Sequence, residues 1–214
     1  MKPIIFSTPM VQAILDDRKT QTRRVIKPQP PDKAGKIVML GVDELSPGFI
    51  TETTLVAAGS DWGLKAPWQP GDVLWVRETW KCVRYNNMDG DLLFGVTFKA
   101  DGKTIYVEFD DSGRYEKFGK FAVREGWQPS IFMPEEVARL FLEVRIVRLE
   151  RLQEINKQGH HDDILKEGYP FCNNPGIPLD DFISLWDGIY GKNYPWESNP
   201  WVWVIEFMRK EAKP

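Results

Sequence analysis

Residues 201–207 read Trp-Val-Trp-Val-Ile-Glu-Phe. Trp201, Trp203, Ile205 and Phe207 alternate with Val202, Val204 and Glu206, the period-two pattern of a β-strand. A short apolar run at Ile4–Phe6 predicts a strand near the other end of the sequence. Strands of this kind need closure or cover, because an exposed edge pairs with other chains. A small barrel with helices packed on its ends meets that need. The expectation is therefore a mixed α+β fold, mainly β. It is a small β-barrel with flanking short helices and inserted hairpins, one domain over residues 1–214.

Local signals fill in the elements. Thr8-Pro9 reads as a helix N-cap and first-turn proline. Met10, Val11, Ile14 and Leu15 then follow at helical spacing, giving a short helix over 9–17. Thr20–Ile26 alternates as a strand, with Thr20, Thr22, Arg24 and Ile26 on one face and Gln21, Arg23 and Val25 on the other. Residues 27–70 are rich in Pro and Gly, with one strand at Ile37–Leu40. Pro70-Gly71-Asp72 marks a turn into a strand at Val73–Trp80. Asp89-Gly90, Asp101-Gly102 and Ser112-Gly113 punctuate strand-like runs and predict a meander of hairpins over 81–127. Leu140–Leu149 is a strand carrying Leu142, Val144 and Ile146 on one face. Residues 152–167 are partly helical and end at Gly168. Residues 179–190 form an amphipathic helix with Leu179, Phe182, Ile183, Trp186 and Ile189 on one stripe.

Charge is where this sequence departs from an ordinary globular pattern. The chain has 214 residues, 42% hydrophobic and 28% charged, and a formal net charge of -3. Yet Arg18-Lys19-Thr20-Gln21-Thr22-Arg23-Arg24 packs four basic side chains and two hydroxyls into seven residues. The global charge argues against coating duplex DNA and leaves room for one local basic site. A lysine at a helix-to-strand corner can present its ammonium to a cleft at a barrel rim. Desolvated there, its pKa falls and it serves as base or nucleophile. Thr22 can offer a hydroxyl beside it. Arg23 and Arg24 face opposite ways, so one joins the site and the other packs along the surface or pairs with a carboxylate. Arg18 is assigned to the solvated face. As a rim residue, Lys19 is expected to contribute little to stability.

A family resemblance follows from the order of several motifs. They are the short helix with a G-x-K-T-x-T-x-R-like run, "GDVLWVRETW" (Gly71–Trp80), "WQPSIFMP" (Trp127–Pro134), "RLQEI" (Arg151–Ile155), "ILKEGY" (Ile164–Tyr169), "LWDGIYG" (Leu185–Gly191) and "NPWVWVIEF" (Asn199–Phe207). Together they resemble the ASCH superfamily, in a branch common in phages and prophages. The resemblance implies a PUA-like β-barrel, with insertions near 32–65 and 81–125. In the amidohydrolase branch it implies a Lys, Thr and Glu acting together on acylated cytidines such as N4-acetylcytidine. Lys19, Thr22 and Glu167 are the matching positions, and they are the expected catalytic residues. This sequence departs from the pattern at Asp17, where the family usually has glycine. A glycine suits a left-handed helix cap, which aspartate adopts less readily.

Other residues complete the expected site. Thr20, Arg23, Arg24, Glu78 and Trp127 are candidates for binding a nucleic acid or nucleotide. Glu78 lies on an apolar strand, where a buried acid needs a partner; the bland alternative is a salt bridge to Arg23 or Arg24. Trp68, Trp127 and Trp196 sit in loops, where an aromatic ring can stack on a base. Trp75, Trp80, Trp201 and Trp203 fall on strands and read as core. His160 and His161 are adjacent in a polar loop and read as solvent-exposed, so no metal site is expected. Cys82 and Cys172 are far apart, without metal-binding spacing, and read as free thiols of a cytoplasmic protein. No cofactor, signal peptide or membrane partner is expected. Three functions stay open: a basic cleft binding RNA or a modified nucleoside, an amidohydrolase of acylated cytidines, and a metal-independent ribonuclease.

Overall fold

The computed structural model describes residues 1–30, 37–40, 54–57, 63–86, 92–108, 112–156, 161–169 and 176–210. His160, Cys172 and the Asp89-Gly90 turn lie outside the described residues. The strands are β1 (Lys2–Ile5), β2 (Gln21–Val25), β3 (Ile37–Leu40), β4 (Thr54–Ala57), β5 (Gly63–Lys65), β6 (Val73–Arg77), β7 (Trp80–Asn86), β8 (Leu92–Phe98), β9 (Thr104–Val107), β10 (Phe141–Arg151) and β11 (Trp201–Lys210). The α-helices are α1 (Thr8–Leu15), α2 (Ser112–Ala122), α3 (His161–Lys166) and α4 (Gly176–Tyr190). The protein is thus mixed α and β, with strands predominating. No sheet among the described residues closes on itself into a barrel. None of their helices is long and apolar enough to cross a membrane.

The chain divides into two compact units built from interleaved segments. One comprises Met1–Leu15, Leu74–Phe141 and Lys210–Pro214; the other comprises Asp16–Val73 and Leu142–Arg209.

In the first unit, β1 pairs in parallel with β6, placing Ile4 opposite Val76. Strands β7, β8 and β9 form the antiparallel meander that the turn signals predict. The third signal, Ser112-Gly113, instead opens α2. Phe118 from that helix is buried against Phe94 of β8, and Phe121 meets Trp80 edge-on at 5.1 Å. A helix lets these two rings, three residues apart, point the same way into the core. The predicted strand at Val73–Trp80 breaks at Glu78-Thr79, and Trp80 begins β7 instead. In α1, Val11, Ala13 and Ile14 are buried. The Val11 N–H donates to the Ser7 carbonyl at 2.9 Å, so the helix is capped one residue earlier than Thr8.

Cys82 on β7 is buried, and burial pushes its thiol up to about 11. Thiolate is the reactive form. In a Cys172→Ser background, the native protein should therefore react with a disulfide reagent only very slowly at pH 8. The rate should climb as pH approaches the thiol value or on adding denaturant. Rapid labelling of the native protein at pH 8 would show that the thiol is open to solvent.

In the second unit, β11 pairs antiparallel with β2, with Ile205 opposite Thr22 and Val204 opposite Arg23. The Gln29 side chain ties off one end of this pair. Its amide donates to the carbonyls of Ile26 and Trp201 at 2.8 and 2.9 Å, and its oxygen accepts from Trp201 N–H at 2.8 Å. Residues Val202–Ile205 are buried without a break, so β11 is covered on both faces. Leu152, Ile155, Ile164, Phe182, Trp186, Val202 and Val204 form one apolar cluster under α3 and α4. Tyr190 packs against it, whereas Ile189 is exposed; the stripe on α4 ends on the tyrosine. The alternation expected for β10 also fails in part. Leu142 and Val144 are buried, Ile146 is exposed, and Val147 takes its place inside. The insertion over 32–65 carries β3, β4 and β5, paired antiparallel in that order.

Candidate functional site: a buried lysine–glutamate pair

The basic run lies in the second unit and turns inward. Asp17 precedes it at φ 56°, in the left-handed region. Aspartate thus takes a conformation that glycine adopts most readily, as short polar side chains can. The next residues run beside α3: Thr20 N–H donates to the Lys166 carbonyl at 2.9 Å, and Lys19 bridges to Glu167 across the backbone. Gly168 at φ 96° ends that helix and lets the chain turn.

This backbone pairing draws Lys19 under the helix end. Lys19 Nζ donates to the Glu167 carbonyl and to Glu167 Oε2, both at 2.8 Å. The side chains are 0% and 4% exposed. The expectation of a rim lysine is corrected here: Lys19 is a core residue. Burial lowers its pKa from the ordinary value, and Glu167 opposes that shift.

Arg23 holds the other carboxylate oxygen. Its Nη1 donates to Glu167 Oε1 at 3.0 Å. Its Nη2 donates to Asp163 Oδ2 at 2.8 Å and to Glu150 Oε2 at 3.1 Å. Arg148 extends the network to Glu150, Glu206, Asp163 and Gln21 Oε1, the last two at 2.8 and 3.1 Å. Arg24 is half-buried, donates to the Arg23 carbonyl at 3.2 Å, and lowers the pKa of Lys19 by repulsion. Lys19, Arg23 and Arg148 thus hold Glu150, Asp163, Glu167 and Glu206, and Lys166 Nζ lies 3.8 Å from Asp163 Oδ1. Arg18 remains outside, as expected: its side chain is 43% exposed and bonds Asp16 and the Gly168 carbonyl.

The structure thus brings Lys19, Arg23 and Glu167 into contact; it buries Thr22 one residue from Arg23 on β2 without bonding its hydroxyl to Lys19 or Glu167. Thr20 is exposed. The expected two-face alternation of β2 gives way to three successive buried residues, Gln21–Arg23. Both faces are covered here, so polar side chains on either side must find partners.

Glu78 and Trp127 belong to the other unit. Glu78 pairs with neither Arg23 nor Arg24. Arg139 grips it with two bonds, Nε to Oε1 at 2.8 Å and Nη2 to Oε2 at 2.9 Å, and reaches Asp101 at 2.8 Å. The Arg139 guanidinium also lies 4.0 Å from the centroid of Phe98. Burial raises the Glu78 pKa, and the Arg139 bonds oppose that. Trp127 is exposed, with Lys81 Nζ 5.2 Å from its ring centroid. Trp196, expected as a loop aromatic, packs edge-on against Phe182 at 6.1 Å.

Sequence reasoning did not single out Arg148, Glu150 and Asp163. One signal was present: Arg148 and Glu150 stand two apart on a strand, hence on one face, and a paired charge on a core strand points inward only toward a partner. No family model, curated protein or solved structure matches this chain.

Proposed function

We propose that the chain is a PUA-like protein of the ASCH type and that Lys19, Thr22 and Glu167 form the centre of an amidohydrolase for acylated cytidines. The observation that carries this reading is the 2.8 Å contact between Lys19 Nζ and Glu167 Oε2, two residues 148 apart in sequence and both buried. Amide hydrolysis needs a nucleophile, a proton carrier and a charge to meet the oxyanion. Thr22 supplies the hydroxyl that attacks the acyl carbon. Glu167 takes the hydroxyl proton and returns it to the leaving exocyclic amine. Lys19 holds Glu167 in place and offsets negative charge on the carbonyl oxygen. Water then releases the acyl group from Thr22 as a carboxylic acid.

The charge balance bears on the choice among readings. Lys19 and Arg23 are bonded to carboxylates and buried, which favours a small uncharged ligand over a phosphate backbone, whose binding depends on unpaired surface cations. A second reading has its own support. Both carboxylate oxygens of Glu167 are already held, one by Lys19 and one by Arg23. That engagement suits a module that binds a modified nucleoside without cleaving it. The test is incubation of the purified protein with N4-acetylcytidine, followed by chromatography for cytidine and acetate. Turnover supports the hydrolase; saturable binding without product supports the module. Binding of single-stranded RNA with neither outcome would overturn both.

A further inference from the structure

Most buried polar atoms around the Lys19–Glu167 pair have partners, and three do not. Gln21 Nε2, Arg23 Nε and Tyr169 Oη are buried without a hydrogen-bond partner among the described residues. Such groups are uncommon in a native interior, because each keeps its desolvation cost with nothing to offset it. All three are tied to the same network. Gln21 is held through its oxygen by Arg148, Arg23 binds Glu167, and Tyr169 lies close enough to Glu167 to feel its charge.

Their chemistry is alike. An amide Nε2 and a guanidinium Nε are donors only. The tyrosine hydroxyl donates or accepts, and burial followed by the nearby Glu167 and Asp181 charges raises its pKa, so it stays protonated. Three unused donors call for acceptors. The buried cations Lys19 and Arg23 are already bonded to carboxylates, so a full negative charge would meet cations that are already neutralised. A neutral ligand bearing carbonyl oxygens fits both conditions. The Tyr169 ring adds a planar wall: it meets Phe182 edge-on at 6.2 Å, and Trp196 meets the same Phe182 at 6.1 Å.

We propose that Tyr169 is a ligand-recognition residue whose hydroxyl donates to a carbonyl oxygen of a bound pyrimidine nucleoside, with Gln21 and Arg23 supplying further donors to the same ligand. This rests on the functional reading above and adds to it the residues that select the ligand.

The prediction has two signs that a merely structural hydroxyl would not produce together. Removing an unpartnered buried hydroxyl leaves no orphaned acceptor, so Tyr169→Phe should melt at or above the wild-type temperature. Its affinity for the ligand should fall about tenfold, which is ~1.4 kcal/mol. The experiment is calorimetric titration of wild type and Tyr169→Phe with cytidine and with N4-acetylcytidine, alongside thermal melting. Weaker binding of both ligands supports the proposal and places the contact on the ring carbonyl. Weaker binding of N4-acetylcytidine alone supports it and places the contact on the acyl carbonyl. Equal binding by variant and wild type overturns it and leaves the functional reading standing. Absence of binding by wild type overturns the functional reading, and this inference with it.

Discussion

Arg23→Ala is expected to be among the most damaging single substitutions in this protein. Arg23 is 1% exposed and bonds three carboxylates, those of Glu150, Asp163 and Glu167. Removing it leaves buried negative charge uncompensated, a loss of roughly 3–5 kcal/mol. At ~2–4 °C per kcal/mol for a chain of this length, the melting temperature should drop by about 6–20 °C. Arg18→Ala is the matched control five residues away. Its side chain is 43% exposed, and exposed ion pairs contribute ~0–1 kcal/mol, so its melting should barely move. Scanning calorimetry of the two variants at neutral pH checks this. Equal shifts would mean that Arg23 is solvated and the buried network does not form. Lys19→Ala belongs with Arg23→Ala, since it removes one of the two cations that hold the buried Glu167 carboxylate and leaves a cavity in its place. A melting defect at position 19 therefore does not count against a functional role.

Glu167→Gln separates chemistry from architecture. The substitution keeps the side-chain volume and one oxygen but removes the proton carrier. General acid–base groups contribute ~10²–10⁴-fold. If the chain is an amidohydrolase, kcat for N4-acetylcytidine should fall by about that factor while KM changes little. Because Glu167 also balances Lys19, the variant should melt lower than wild type, so circular dichroism must show it folded at the assay temperature. Retained turnover in a folded variant would remove Glu167 from the chemistry. If wild type binds without turnover, affinity for the nucleoside is the quantity to compare.

Much of the architecture was legible from local pattern. The alternation at 201–207 is β11, the apolar stripe from Leu179 is α4, and Pro70-Gly71-Asp72 is the turn before β6, with Gly71 at φ 86°. Such signals survive because strand and helix periodicity and turn chemistry act over a few residues. Where two local readings competed, packing chose. Ser112-Gly113 could open a hairpin or a helix, and the burial of Phe118 with the Trp80–Phe121 contact settled on the helix. Ile146 and Val147 were equally apolar, and the interior took Val147.

The site divides the same way. The sequence by itself determined that cations and hydroxyls cluster over 18–24 and that Arg18 is solvated; the grouping of Lys19, Thr22 and Glu167 was what the family resemblance implied. The sequence also placed a helix end at Gly168. Only the tertiary structure decided that Lys19 is fully buried, that Arg23 rather than Arg24 grips Glu167, and that Arg148, Glu150 and Asp163 close the network. It likewise gave Glu78 to Arg139. The physical reason is reach. A charged side chain looks the same in sequence whether water or a carboxylate solvates it. Which one does so depends on groups brought close by the fold, here 127, 140 and 144 residues from Arg23.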